Sequence, residues 1–325
     1  MRRKKSNALL EPAAISLIAG GITIIALDIA RRIFRHTQLF CPERNPVKSW
    51  DPSDYGIAPD RVTPMWIDTP DGEKLYAWYL RAKKPIASAL WCHGNTGNLT
   101  NVADIMPHLL DAGYNVLLFD YRGFGLSTGR PSLRGVIDDG LTAAKFHDAI
   151  RPHNLPSILY GYSLGGAIAA QVLRHHSFDG LILQSTFTTL PELTKALWPR
   201  IPLHLVAGDF FNTMRVIRHL EIPLLVLHGT QDEVVPCAMA HALHEACPSS
   251  KRIYTIEGGL HKDLFARDGD AIVWAAHQFA QEVKPRHGQP AVIEDLALSR
   301  AQRGFIGAAA MHKLQATWPG HSMPE

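Results

Sequence analysis

From about residue 60 to residue 285 the chain alternates short apolar runs with amphipathic stretches. The runs at 86–92, 115–119, 157–160, 180–183, 223–227 and 252–256 have the length and polarity of buried strands. Between them, 98–111, 133–150, 164–175, 237–246 and 271–283 repeat apolar residues at helical spacing, as at Val102, Ile105, Met106, Leu109 and Leu110. Ahead of the first run, 65–69 and 74–80 alternate polar and apolar residues about Asp71-Gly72, a strong hairpin signal. Strands alternating with helices predict an α/β fold, with a mostly parallel eight-stranded sheet and helices on both faces.

One interval breaks the rhythm. Between Ser185 and Pro223 the connection is too long for a simple crossover, and it carries Pro191, Pro199, Pro202, Trp198, Phe210 and Phe211. An insertion of this size reads as a small helical cap, placed at 186–221. Trp198, Phe210 and Phe211 are the candidate substrate-binding residues, with Leu203, Leu205 and Val206 as further lining of an acyl pocket.

A second departure lies at the N-terminus. Residues 13–30 form an apolar run whose only charge is Asp28. As a helix at ~1.5 Å per residue it is about 27 Å long, close to the hydrocarbon thickness of a bilayer. The run exceeds the ~7–15 residue core of a signal peptide, and Arg31 and Arg32 follow it instead of a small-residue cleavage site. It predicts an uncleaved, single-pass transmembrane helix and a membrane location. Basic residues stand on both sides, so charge does not set the orientation. The competing reading is a buried core helix. The organisation expected is a basic segment at 1–12, the anchor at 13–30, a linker at 31–60 that includes the proline-rich stretch 41–59, a catalytic domain at 61–285, and a peripheral tail at 286–325.

Composition narrows the function. A 46% hydrophobic and 19% charged chain is globular. The net charge is +3, with four basic residues at positions 2–5, which leaves the body near neutral. No basic stripe with interleaved aromatics is present, so no nucleic-acid partner is expected. Cys41, Cys92, Cys237 and Cys247 are scattered, which argues against a disulfide scaffold or a zinc site. No metal and no organic cofactor is expected.

The strongest chemical signal is Gly161-Tyr162-Ser163-Leu164-Gly165-Gly166. It follows an apolar strand and opens a helix rich in small residues. A sharp strand-to-helix turn at this point lifts a serine hydroxyl above the sheet. A serine hydroxyl is a weak nucleophile and needs a neighbouring base. In such a fold the acid and then the histidine come later in the chain. The strand at 223–227 runs into His228-Gly229-Thr230-Gln231-Asp232-Glu233, and the strand at 252–256 into Glu257-Gly258-Gly259-Leu260-His261. Seventeen histidines make a lone histidine weak evidence. His261 is favoured because it follows the last strand and a Gly-Gly pair. Asp232 is favoured as the acid over Glu233 and Asp263. The loop His93-Gly94-Asn95-Thr96-Gly97-Asn98 follows the first buried strand. With the amide of Leu164, the amide of Asn95 is the candidate oxyanion hole. Gly123-x-Gly125-x-x-x-Gly129 misses the dinucleotide spacing by one residue, and no Walker motif occurs. His241-x-x-His244-Glu245 fits no zinc-hydrolase motif.

Taken in order, HGNTGN, FDYRGFGLSTG (119–129), GYSLGG, HGTQDEVVP (228–236) and GGLHKD resemble the α/β-hydrolase superfamily over about residues 65–283. They are similar to its membrane-anchored serine hydrolases, to serine aminopeptidase-like sequences and to protein depalmitoylases with the DYxGxGxSxG stretch. The resemblance implies a triad of Ser163, Asp232 and His261, and structural roles for Asp120 and Arg122 beside the site. The tail after Pro285 has no counterpart in it. The function expected is a membrane-anchored serine hydrolase acting on carboxylic esters or acyl thioesters, with a lipid or lipidated protein as substrate. The alternatives are a serine peptidase and a non-catalytic binding or scaffold protein on the same fold.

Overall fold

The structure is a computed structural model that describes residues 39–201 and 208–285. The expected anchor at 13–30 and the tail at 286–325 lie outside the described residues. Among the described residues no helix is long and apolar enough to cross a membrane.

A two-residue strand, β1 (Cys41–Pro42), precedes the hairpin of β2 (Val62–Asp68) and β3 (Lys74–Leu80). The chain continues through β4 (Ala87–Cys92), a short β5 (Thr96–Gly97), helix α1 (Met106–Asp111) and β6 (Tyr114–Phe119). Next come α2 (Leu133–Ile150), β7 (Ser157–Tyr162), α3 (Leu164–Leu173) and β8 (Gly180–Gln184). The cap interval holds α4 (Leu190–Leu197) and α5 (Thr213–Ile217). Then follow β9 (Leu224–Gly229), α6 (Cys237–Ala246), β10 (Lys251–Ile256) and α7 (Leu264–Glu282).

Eight strands form one sheet in the order β10-β9-β8-β7-β4-β6-β3-β2. The pairs β2–β3 and β3–β6 are antiparallel and the others parallel. Successive strand residues feed opposite faces, so both faces can be buried by one apolar run. Leu117, Phe119, Leu159, Leu181, Leu183 and Val226 join a core with residues of α2, α3 and α6. Val116, Leu118, Ile158, Tyr160, Ile182 and Leu225 join a second core with residues of α1 and α7. The uninterrupted apolar runs of the sequence are the consequence of this two-sided cover.

Three elements differ from expectation. The stretch 98–111 is not a single helix: a 3-10 segment at Leu99–Ile105 leads into α1. Pro107 lacks an N–H and its ring opposes the preceding turn's carbonyl, so an α-helix has to start there instead of running through. Helix α7 begins at Leu264, and its backbone breaks helical geometry at Asp268 (φ −149°, ψ 57°). The Asp268-Gly269-Asp270 interruption hides its first turns from a periodicity count. The stretch at 39–59, read as linker, is packed on the body. Leu39 and Phe40 lie in the first core, Tyr55 and Ile57 in the second, and β1 pairs in parallel with β5. In the cap, a bridge between Thr189 and Asn212 closes the base of the insertion, and Met214 N donates to Thr188 O at 3.0 Å.

Candidate active site

Ser163 stands between β7 and α3 with φ 53° and ψ −121°. A side-chain-bearing residue rarely adopts such a backbone, and it persists where its surroundings over-determine it. Here they do. Ser163 N donates to Gln184 O at 2.9 Å, and Thr186 Oγ1 donates to Ser163 O at 2.7 Å. The turn also demands glycine on either side. A Cβ on Gly165 would lie 2.0 Å from Cys92 O, and one on Gly161 would lie 2.4 Å from Gly166 Cα. The helix can start this close to β4 and β7 only because those methyls are missing.

Ser163 Oγ is 3.0 Å from His261 Nε2. His261 Nδ1 is 3.0 Å from Asp232 Oδ1 and 2.9 Å from Oδ2. The three side chains come from the ends of β7, β9 and β10, neighbours on one side of the sheet with β8 between the first two. The Asp232 carboxylate also accepts the amides of Val234 (2.9 Å) and Val235 (2.7 Å). Burial alone pushes the Asp232 carboxyl up. Hydrogen bonds from His228 and His261 outweigh that and hold it well below the usual carboxylate range. The ionised carboxylate can only accept, so His261 carries its proton on Nδ1 and offers the lone pair of Nε2 to the serine hydroxyl.

The two rival acids have other partners. Glu233 Oε2 accepts the backbone amide of His261 at 3.0 Å. Asp263 Oδ1 accepts the amide of Leu260 at 2.7 Å, and Oδ2 pairs with Arg267 at 3.2 Å. Both hold the loop that carries the histidine through its main-chain amides. Tyr162 OH donates to His261 O at 3.1 Å and fastens the same loop from the strand side.

The loop 93–98 lies against the nucleophile: a Cβ on Gly94 would be 3.6 Å from Ser163 Cβ. His93 Nδ1 donates to Gly94 O at 2.8 Å. That carbonyl and the Asn95 N–H belong to one trans peptide plane and point in opposite directions. The buried imidazole therefore fixes the direction of the Asn95 amide. His93 Nε2 is 3.3 Å from Asp120 Oδ1, and that oxygen accepts the Leu99 amide at 2.6 Å. Arg122 pairs with Asp139 at 2.7 Å and with Asp71 at 2.7 Å. Leu164 is the first residue of α3.

The substrate-binding candidates are dispersed. Phe211 is fully buried in the core beside α3. Trp198, at the end of α4, packs half-buried against that core. Phe210 is exposed. Leu203, Leu205 and Val206 lie outside the described residues.

A second serine–histidine contact exists. Ser88 Oγ is 2.9 Å from His147 Nε2. Both residues are fully buried. Ser88 is paired with Ser157, the first residue of β7, whereas Ser163 follows the last one, so the pair sits at the opposite end of the sheet. Burial lowers the His147 imidazole to about 3, and the neighbouring Asp148 carboxylate is engaged with Arg151 and His176. It is a buried core pair, and His147 Nδ1 has no hydrogen-bond partner among the described residues.

The comparisons with known proteins agree with this architecture. A family model described as serine aminopeptidase, S33, matches residues 83–219 and 212–268. The chain belongs to that family. An uncharacterised protein of Mycobacterium tuberculosis is 30% identical over 285 residues, covering 87% of this chain and 98% of the relative. An uncharacterised membrane protein of Saccharomyces cerevisiae is 29% identical over 272 residues, covering 78% of this chain and 92% of the relative. Among solved structures, an esterase of Pyrococcus furiosus superposes with a TM-score of 0.61 at 19% identity, over 76% of this chain and 99% of that one. The fold is that of the α/β-hydrolases.

Sequence reasoning passed over several residues of the site. Tyr162 and His228 lie inside the GYSLGG and HGTQDEVVP motifs, and Glu233 stands in the sequence only as a rival acid. Thr186 carried no signal, because its role depends on a carbonyl twenty-three positions away.

Proposed function

We propose that the chain is a membrane-anchored serine hydrolase of carboxylic esters or acyl thioesters. The observation that carries this reading is the unbroken hydrogen-bonded series Ser163 Oγ, His261 Nε2, His261 Nδ1, Asp232. Ser163 Oγ attacks the acyl carbonyl carbon while His261 Nε2 takes its proton. Negative charge collects on the carbonyl oxygen, which accepts the amides of Leu164 and Asn95; one such donor is typically worth ~3 kcal/mol of barrier. His261 then gives its proton to the leaving alcohol or thiol, and the acyl group stays on Ser163. Water, deprotonated by the same imidazole, attacks the acyl carbon; the bond to Ser163 Oγ breaks, the acid leaves, and His261 returns the proton to Ser163 Oγ. Asp232 stays ionised and holds the imidazolium that forms in each half.

The membrane part of the reading rests on the 13–30 run, read as a single-pass anchor, and on the word membrane in the name of the yeast relative. An acyl substrate, lipid or lipidated protein, suits a site whose rim residue Leu260 is 40% exposed beside His261. The peptidase alternative draws on the family description.

The test is active-site labelling of the full chain with a fluorophosphonate, followed by nitrophenyl esters of increasing chain length and an aminoacyl nitroanilide. Stoichiometric labelling lost in Ser163→Ala, with ester turnover rising towards longer chains, is the expected result. Labelling with anilide turnover alone moves the assignment to peptidase. A folded wild type that does not label at all removes the hydrolase reading.

A further inference from the structure

We propose that residues 41–45 are a positioning strap for the oxyanion loop, so that the segment joining the N-terminal apolar run to the domain also shapes the active site. The proposal rests on the hydrolase reading above for its kinetic consequence, and on geometry for its structural one.

Read as sequence, this stretch is a linker. In the structure its main chain is consumed by the site's own loops. Cys41 N donates to Asn95 O at 2.8 Å, and Glu43 N donates to Gly97 O at 2.9 Å. Glu43 O accepts Gly125 N at 3.0 Å and Asn98 Nδ2 at 3.1 Å. Asn45 O accepts the same Asn98 amide group at 2.7 Å. Arg44 Nη1 reaches across to Ser127 O at 2.6 Å and Gly125 O at 3.2 Å. The strap thus sews the 95–98 loop to the 120–127 loop. Leu39 and Phe40, buried in the sheet core, hold its upstream end.

The position of Cys41 makes this more than packing. Asn95 lies between two peptide planes. The plane on its N-terminal side is held by His93 through Gly94 O. The plane on its C-terminal side is held by Cys41 through Asn95 O. With both pinned, the Asn95 amide has one direction. With the second released, the half-buried Asn95 can turn about its φ and ψ, and a preorganised donor becomes a mobile one. Preorganisation is what makes such donors effective, because they need not reorient as charge develops. In the sequence, residues 31–40 join the apolar run to the strap.

The experiment compares Cys41→Pro, which deletes the donated N–H, with Cys41→Ala, which keeps it, in the full chain. Turnover is normalised to active sites titrated with fluorophosphonate, and amide exchange of residues 93–98 is followed by mass spectrometry. For Cys41→Pro we expect kcat per titrated site to fall ten- to a hundredfold, with KM within threefold of wild type and the pH profile unmoved. Exchange in 93–98 should quicken at least tenfold. Cys41→Ala should stay within threefold on every measure. Unchanged exchange in folded Cys41→Pro, or an equal loss in Cys41→Ala, overturns the proposal. If Cys41→Pro does not fold, Arg44→Met supplies the second cut: faster exchange at 93–98 supports the strap and wild-type exchange refutes it. A wild type that neither labels nor hydrolyses esters would sink the hydrolase assignment, while the exchange comparison would still judge the strap.

Discussion

His228 Nε2 stands 3.2 Å from Asp232 Oδ2, the same oxygen that His261 Nδ1 approaches at 2.9 Å. His228 is fully buried, and its Nε2 also lies 2.9 Å from Val235 O. A carbonyl and a carboxylate both accept, so Nε2 of His228 carries a proton and shares it between them. One carboxylate is thereby oriented by one imidazole and orients another. Replacing His228 by Leu removes a hydrogen bond to a charged group, typically worth ~1.5–3 kcal/mol. We expect kcat to fall about tenfold with KM little changed, and His228→Gln to recover part of the loss. Steady-state kinetics on a nitrophenyl ester checks this; equal activity in Leu and wild type would refute it.

The three acidic residues near His261 should separate by kinetics. Asp232 touches the ring, whereas Glu233 accepts a main-chain amide and Asp263 a main-chain amide and the Arg267 guanidinium. Asp232→Asn leaves an acceptor and a donor where an anion stood and favours the wrong tautomer, so kcat should drop by roughly 10³–10⁴. Glu233→Gln keeps an oxygen for the His261 amide and should cost less than tenfold. An inversion of this order would mean that the acid has been misassigned.

Glycines at Gly165 and Gly72 serve different ends, and alanine should tell them apart. At Gly165 a Cβ meets backbone oxygens of Cys92 and His93 at 2.0 and 2.5 Å, whereas at Gly72 (φ +89°) it meets nothing within 4 Å. Gly165→Ala must push α3 off β4, at a cost of about 3 kcal/mol or more, with loss of turnover. Gly72→Ala carries only the left-handed backbone penalty of ~1–2 kcal/mol and should leave kcat intact. Denaturant midpoints and kcat on the two proteins measure both.

His147 sets an acid limit on stability. Its imidazole titrates at about 3 in the fold because burial disfavours the charged form, against ~6.5 in the unfolded chain. Below pH ~6.5 the unfolded state binds a proton that the folded state does not, so stability falls with falling pH until the folded value is reached. The slope from this group is ~1.4 kcal/mol per pH unit, present in full above ~6.5 and lost progressively towards 3. His147→Leu should flatten the stability curve between pH 6 and 4, as read by urea denaturation. A curve parallel to wild type would show that His147 charges in place.

Much of the scaffold was legible along the chain. Strand runs such as 115–119 and helix α2 emerged within a residue or two of their observed ends, because burial on both faces of a parallel sheet leaves an unbroken apolar signature. Ser163 was legible for a local reason as well: the glycines around it answer to clashes within its own turn. His261 and Asp232 were reachable because chain order and strand ends constrain where partners of the serine can lie.

The rest depended on which distant atoms meet. The placement of Glu233 and Asp263 on the amides of the histidine loop, the contact of His228 with Asp232, and the burial of Phe211 in the core are properties of packing and not of local pattern. The segment at 39–45 is the sharpest case. Its main-chain amides look the same in a linker and in a strap, since every residue but proline carries one donor and one acceptor. Local pattern tells where a strand or a turn can form because neighbours in the chain set it. Only the closed fold tells which carbonyl a given N–H will find.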